Sequence, residues 1–417
     1  MLDWEFIGKI VANFCFGYPF VIAWYWMTGS LLYYFIREMH EPMPESPPEL
    51  PYYPFVSLLL PCYNESAQLE ETLAVLMESD YPNFEVIAIN DGSKDNTGEL
   101  LINFAKIYPR LRVVNLTSNQ GKSTALNAGT LIARGEFLVC IDGDALLDKH
   151  AITWFIRRFQ SDGSLGALTG NPRIRNRSTL LGRLQVGEFS SIVGMIKRTQ
   201  TVFGSLFTVS GVICAFRKLA VLEAGLWDPN AMTDDVDLTL RIQIAGWNVV
   251  FEPNAICWIL MPETLKGLWR QRLRWAEGGS QASLGISRDL FTRKVWRLLP
   301  LWFNFFLSTS WACLTLIFLI TWAVIDLASL NFDHGLGLLP LWWGTILTIT
   351  YLMQSLIGLF LDSRYEKSVI KTFYWLVWYP LVYWLLQSIT AVVGFYKAVR
   401  RPATAKGKWI SPDRGLK

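Results

Sequence analysis

Histidine is nearly missing from this 417-residue sequence, which has three, at positions 40, 150 and 334. They are too far apart in sequence to suggest a zinc cluster. Charge is scarce as well: Asp, Glu, Lys and Arg make up 18% of the chain, the formal net charge is +3, and no long run of one sign occurs. That balance gives no basic surface for nucleic acid, which is left out of the expected partners. The six cysteines, at 15, 62, 140, 214, 257 and 313, include no CxxC pair, and three lie in apolar strand-like runs. Reduced thiols in a protein facing the cytosol are expected.

Apolar surface is what the chain has in excess. With 52% hydrophobic and 14% aromatic residues, it is too apolar and too long for one ordinary soluble domain, and a membrane part joined to a globular part fits better. Residues 1–38 hold one apolar stretch, about 6–35, longer than the roughly 20 residues a spanning helix needs. Gly17 and Pro19 are possible breakpoints, with an interfacial first half as the alternative. No basic start or small-residue cleavage site marks a signal peptide. Residues 39–54, MHEPMPESPPELPYYP, read as a Pro-rich linker, because proline fixes φ and removes donors.

Residues 55–290 alternate apolar strands (FVSLLLPCYNE, FEVIAIND, LRVVNL, FLVCIDGD) with helical patterns (LEETLAVLMES, TALNAGTLIA). The pattern predicts an α/β domain on a parallel sheet covered on both faces. Apolar blocks return at about 298–330, 338–361 and 373–399, giving a C-terminal membrane region over 291–399 and a basic tail over 400–417. Arg37, Arg293, Lys294 and Arg297 flank the spans on the side of the α/β domain, which the positive-inside rule places in the cytosol. Three C-terminal spans would then leave Arg400, Arg401, Lys406 and Lys408 outside. Either the tail is tolerated there, or one block, for instance the one containing Pro380, is interfacial or re-entrant.

Chemistry collects at the strand ends. FLVCIDGD at 137–144 runs an apolar strand into Asp142 and Asp144, with Gly143 between them. In an open α/β sheet such an end faces a ligand crevice, and two carboxylates there can hold a hard divalent cation against a diphosphate. A solvated Asp-Gly turn is the alternative. Asp91, ending the second strand in NDGS, can accept from a base or ribose or serve an Asx turn. Lys122 in NQGKST opens a helix whose N-terminus favours anions, but Leu116 stands where a phosphate-binding P-loop has its first glycine, which argues against an ATPase. MTDDVDL gathers Asp234, Asp235 and Asp237, either as a cap with Asp234 at the N-cap and Asp237 closing a box, or as carboxylates that raise one another's pKa to suit a general base. In TLKGLWRQRLRWAEGG, Gln271, Arg274 and Trp275 sit on adjoining turns of an amphipathic helix. The helix can be simply interfacial, or Arg274 can hold a diphosphate while Trp275 offers a flat face to a sugar.

Taken in order, Asp91, the Asp142/Asp144 pair, Thr233-Asp234-Asp235 and Gln271, Arg274, Trp275 resemble the D, DXD, TED and QXXRW motifs of the processive family-2 glycosyltransferases. Only the middle TED position differs, Asp234 standing for glutamate. Within that family the stretches VCIDGDALLD, LTGNPRIRNRSTLLGRLQVGEFSSIVGMIKRTQ, FTVSGVICAFR, CWILMPETLKGLWRQRLRWAEGG and WISPDRG look like those of the bacterial biofilm synthases of β-1,6-linked poly-N-acetylglucosamine. A further N-terminal apolar helix of such relatives is expected to be missing or shortened here.

The resemblance implies a Rossmann-like GT-A domain with a mostly parallel sheet, in an α-helical multi-pass protein of the bacterial inner membrane, that transfers from UDP-N-acetylglucosamine with inversion. By the same resemblance, Pro61, Tyr63, Glu65, Asp91 and Lys122 are donor-binding with Asp142 and Asp144. The metal is Mg²⁺ or Mn²⁺, with Asp144 the more direct ligand and Asp142 touching ribose or orienting the metal shell. Asp235 is the general base beside Asp234, while Gln271, Arg274 and Trp275 complete the catalytic set. Ser210 and Gly211, with Trp275, position the acceptor end. Implied partners are the growing polysaccharide, membrane lipid and a small membrane subunit of the synthase. A chitin- or hyaluronan-type β-1,4 synthase, a lipid-linked sugar synthase and an inactive export scaffold are the competing readings.

Overall fold

The computed structural model of the chain describes residues 4–287, 293–329 and 341–402. Of the basic tail, only residues 400–402 fall within them, and His334, Lys406, Lys408 and WISPDRG lie outside.

The N-terminal apolar stretch forms one helix, α1 (Trp4–Ile36), with Pro19 inside it, so neither Gly17 nor Pro19 breaks it. After α1 come β1 (Val56–Cys62), α2 (Leu69–Met77), β2 (Phe84–Asp91), α3 (Thr97–Ile107), β3 (Leu111–Leu116), α4 (Lys122–Ile132), β4 (Phe137–Ile141), β5 (Leu146–Leu147) and α5 (Ala151–Ser161). Then follow β6 (Leu165–Ile174), α6 (Leu180–Glu188), a π-helical segment Phe189–Gly194, α7 (Met195–Val202), β7 (Ile213–Arg217), α8 (Lys218–Glu223), α9 (Asp234–Ile244), β8 (Asn248–Ile259) and α10 (Leu265–Ser287). The C-terminal part holds α11 (Leu299–Ser329), α12 (Leu341–Asp362), α13 (Phe373–Leu376) and α14 (Tyr379–Arg400).

The eight strands form one sheet in the order β3-β2-β1-β4-β7-β6-β8-β5. Its first half is parallel throughout, as the buried apolar runs of β1, β2 and β4 require. The second half is mixed: β7 runs antiparallel between β4 and β6, and β5 antiparallel on β8, while β6 and β8 are parallel. The sheet is thus the mostly parallel one expected; which strand runs antiparallel is not carried by side-chain period. The chain leaves β1 toward β2 and β3 and later returns to β4 on the other side of β1. That reversal opens a crevice at the carboxyl ends of β1 and β4.

Residues 39–54 are not a free tether. Pro44, Tyr52 and Pro54 carbonyls accept from Trp154 Nε1 (2.9 Å), Gln160 Nε2 (2.8 Å) and the Tyr81 hydroxyl (2.6 Å), which strap this stretch onto the α/β domain.

Three helices among the described residues are long and apolar enough to cross a membrane: Phe6–His40, Val295–Thr321 and Trp343–Asp362. The last apolar block behaves differently. Pro380 sits in the first turn of α14, where its missing donor costs nothing, and α14 packs along α10. Its C-terminal end is held by Arg401 Nη1 to Glu277 Oε1 at 2.9 Å. The ends of α1 and α12 meet on the α/β domain, where the buried Arg198 guanidinium lies 2.9 Å from Glu38 and 3.0 Å from Asp362.

Candidate active site

The crevice is assembled from five strand-end and helix-start segments. β1 and β2 end in loops stitched to each other: Asn64 N donates to Ser93 Oγ at 3.0 Å and Glu65 N to Thr97 Oγ1 at 2.8 Å. These bonds set Pro61, Tyr63 and Glu65 at the mouth of β1. Asp91, fully buried, accepts from Gln120 N and Gly121 N, both at 2.8 Å. Its visible work is to anchor the loop that launches α4, and Gly121 allows the turn with φ of 95°.

Lys122, the first residue of α4, reaches across the crevice. Its ammonium lies 2.5 Å from Asp142 Oδ1 and 3.1 Å from the Gly211 carbonyl. Burial alone would lower its pKa, but Asp142, Asp234 and Asp235 outweigh that and hold the ammonium charged.

Asp142 and Asp144 follow the fully buried β4. A side chain at Gly143 would come within 2.9 Å of Glu65 Cγ, so the glycine lets the carboxylate pair sit directly on the end of β1. The Cys257 thiol on β8 is pushed up by burial and then by the negative charge of Asp142, Asp144 and Asp148. Among the described residues no group of three His, Cys, Asp or Glu converges as a metal cage. Asp144 and the Asp142 oxygen that Lys122 leaves free are hard donors of the kind a divalent cation takes, the rest of its shell coming from phosphate and water.

Asp235 faces this group from α9. Gly211 N donates to its Oδ2 at 3.1 Å and Val236 N to its Oδ1 at 2.9 Å. Its pKa is raised by burial and by Asp234, against the lowering pull of Lys122 and Arg274. Asp234 is the first helical residue and Thr233 the N-cap position, so the expected cap at Asp234 is displaced by one residue. Asp237 turns instead to Arg241, 2.6 Å away, because i and i+4 share a helix face.

Helix α10 closes the crevice. A Cβ at Gly278 would meet Thr233 Oγ1 at 2.3 Å, so only glycine permits this approach of α10 to the Thr233-Asp234-Asp235 turn. Gln281 Oε1 accepts from Met232 N at 3.0 Å and ties the same pair together. Arg274 is exposed and its charge reaches Asp235. Gln271 does not join the cluster: its Nε2 lies 3.7 Å from Met261 Sδ, and its Oε1 is buried without a hydrogen-bond partner among the described residues. Trp275 is half-buried under Arg272, whose guanidinium lies 4.4 Å from the ring centroid. Ser210 stands at the turn preceding β7, and its N–H donates to Thr169 Oγ1 at 2.9 Å.

Sequence reasoning missed Glu188, Arg272 and Lys197. Arg272 pairs with Glu188 at 2.7 Å in a site where both are buried, with Tyr383 and Gln387 of α14 completing the network. Partners 84 residues apart leave no local pattern.

A family model described as "Glycosyltransferase like family 2" matches residues 54–278. The chain is 38% identical to a poly-beta-1,6-N-acetyl-D-glucosamine synthase of Staphylococcus epidermidis over 412 residues, 97% of this chain and 98% of the relative. It is 38% identical to the Staphylococcus aureus protein of the same name over 408 residues, again 97% and 98% of the two chains. Among solved structures, the mannosyltransferase PcManGT from Pyrobaculum calidifontis, in complex with GDP-Man and Mn2+, superimposes with a TM-score of 0.61. At 18% identity over 95% of this chain and 98% of that one, it shows the shared GT-A fold. The GT-A sheet with its strand-end crevice, the family model over residues 54–278 and the near full-length match to synthases together make this chain a membrane-embedded glycosyltransferase, a member of the family-2 glycosyltransferases.

Proposed function

We propose that the chain is a processive, inverting N-acetylglucosaminyltransferase that polymerises UDP-N-acetylglucosamine into β-1,6-linked poly-N-acetylglucosamine. The observation that carries the chemistry is the position of Lys122, one ammonium bonded to the donor-side Asp142 and to the acceptor-side Gly211. The near full-length likeness to the staphylococcal synthases supports the sugar and linkage.

In this reading Pro61, Tyr63, Glu65 and Asp91 shape the uridine end of the crevice. Asp144, with Asp142, would hold Mg²⁺ or Mn²⁺, which when bound supplies positive charge to the diphosphate. Lys122 and the exposed Arg274 add cationic charge where the UDP leaving group becomes more negative. Asp235 takes the proton from the acceptor's 6-hydroxyl, whose oxygen attacks the anomeric carbon in line as the bond to UDP breaks. A raised pKa suits that carboxylate to accept a proton. Ser210, Gly211 and Trp275 orient the acceptor sugar.

The catalytic domain faces the cytosol of a bacterial inner membrane, with product led outward past α1, α11 and α12. Arg37 at the end of α1 supports that orientation. The ion pairs that hold the ends of α12 and α14 on the α/β domain support a reading in which α14 lies at the interface and the chain after it is on the cytosolic side.

Membranes holding the protein, given UDP-N-acetylglucosamine and Mg²⁺, should yield a polymer degraded by a β-1,6-specific hexosaminidase. A polymer that resists that enzyme and yields to chitinase would refute the linkage.

A further inference from the structure

Lys197 on α7 is 5% exposed, and the hydrogen-bond partners of its ammonium among the described residues are hydroxyls, not carboxylates. Its ammonium donates to Thr169 Oγ1 at 2.9 Å and to Ser210 Oγ, and lies 5.7 Å from the centroid of the Phe251 ring. Thr169 Oγ1 in turn accepts from Ser210 N, so both polar handles of Ser210 are fixed by the Lys197–Thr169 pair. The next residue, Gly211, donates its N–H to Asp235 and gives its carbonyl to Lys122. One short turn is thus gripped from beneath by Lys197 and from the crevice by Lys122 and Asp235.

An isolated buried ammonium is expensive, and a neutral residue able to hydrogen-bond would brace the turn at lower cost. Burial pushes Lys197 down to about 7, against the opposing pull of Asp235 and then Cys214. The groups that face it from the surrounding elements are Asp235 of α9, Cys214 of β7, Thr169 of β6, Ser210 of the turn and the Phe251 ring of β8. Its neighbour Arg198 is turned toward Glu38 and Asp362.

We propose that Lys197 is a positioning residue for the general base, orienting Asp235 through the Ser210–Gly211 turn and adding positive charge beside it. The inference rests on Asp235 being the base. A charged Lys197 favours the Asp235 carboxylate, so removing the charge raises the Asp235 pKa.

The test compares polymer synthesis against pH, together with UDP affinity, in full-length wild type, Lys197→Met, Lys197→Gln and Asp235→Asn. Lys197→Met should lose about tenfold to a hundredfold in kcat with UDP affinity retained. Lys197→Gln, which keeps a donor for Ser210, should recover part of that loss. In both variants the acidic limb of kcat/KM should move up by about one pH unit. An acidic limb that stays at the wild-type position in Lys197→Gln, or in both variants, overturns the proposal even if activity falls. Asp235→Asn separates the two claims: if it still synthesises polymer, the base assignment itself is wrong; if it is inactive while the Lys197 variants show an unmoved limb, only the role of Lys197 fails.

Discussion

The Arg272 guanidinium lies over the Trp275 indole, 4.4 Å from its centroid, and Glu188 holds it there with a 2.7 Å ion pair. One face of Trp275 is therefore backed by buried charge, and in the proposed function its other face meets the acceptor sugar. Tyr383 and Gln387 of α14 bond to the same pair, so α14 braces this backing directly.

Breaking that pair from one side should be costly. Glu188→Ala leaves Arg272 buried without its carboxylate and is expected to destabilise the fold by about 3–5 kcal/mol. Thermal unfolding of the detergent-solubilised protein measures this, and an unchanged midpoint would show that the pair is dispensable.

Gly278→Ala should separate α10 from the Thr233-Asp234-Asp235 turn, because the new methyl meets Thr233 Oγ1 at 2.3 Å and Cγ2 at 2.4 Å. Synthesis is expected to fall at least about tenfold. Adding Thr233→Ala removes both of those atoms and should restore part of the rate. The double-mutant cycle reports the coupling.

Asp91→Asn replaces one of two acceptor oxygens with an NH₂ group pointed at a backbone N–H. The buried mismatch should cost about 1–3 kcal/mol and misplace Lys122. Titration calorimetry should show weakened UDP binding; wild-type affinity would contradict the anchoring role.

Activity should be lost on acidification at a pH above the ordinary aspartate range, because burial and Asp234 raise the Asp235 pKa and a base must be deprotonated. Asp234→Asn removes the neighbouring negative charge, so the acidic limb should move to lower pH. Arg274→Gln removes a cation and should move it the other way. Rates of polymer formation across pH measure both shifts.

The strands and their carboxylates were legible because both signals are local. FLVCIDGD shows an apolar run and then two aspartates, and the structure has that strand ending just before Asp142. Lys122 is at a helix start, as its sequence context indicates. The antiparallel insertion of β7 was not legible, since side-chain alternation is the same for either strand direction. Nothing local in LKGLWRQRLRWAEGG or MIKRTQ sets Arg272 or Lys197 apart from the other basic residues beside them. Each owes its burial to segments far away in sequence, Arg272 to Glu188 and α14, Lys197 to Thr169, Ser210 and Phe251. Pro380 marked its block as the one that could be interfacial or re-entrant, and in the structure it opens a helix that packs along α10.

The most direct measurement of the central claim is polymer synthesis and UDP binding by Asp235→Asn in the same membranes. Removal of the base should abolish polymer formation by about a thousandfold or more while UDP affinity stays near wild type. Polymer formation at the wild-type rate by this variant would contradict the account.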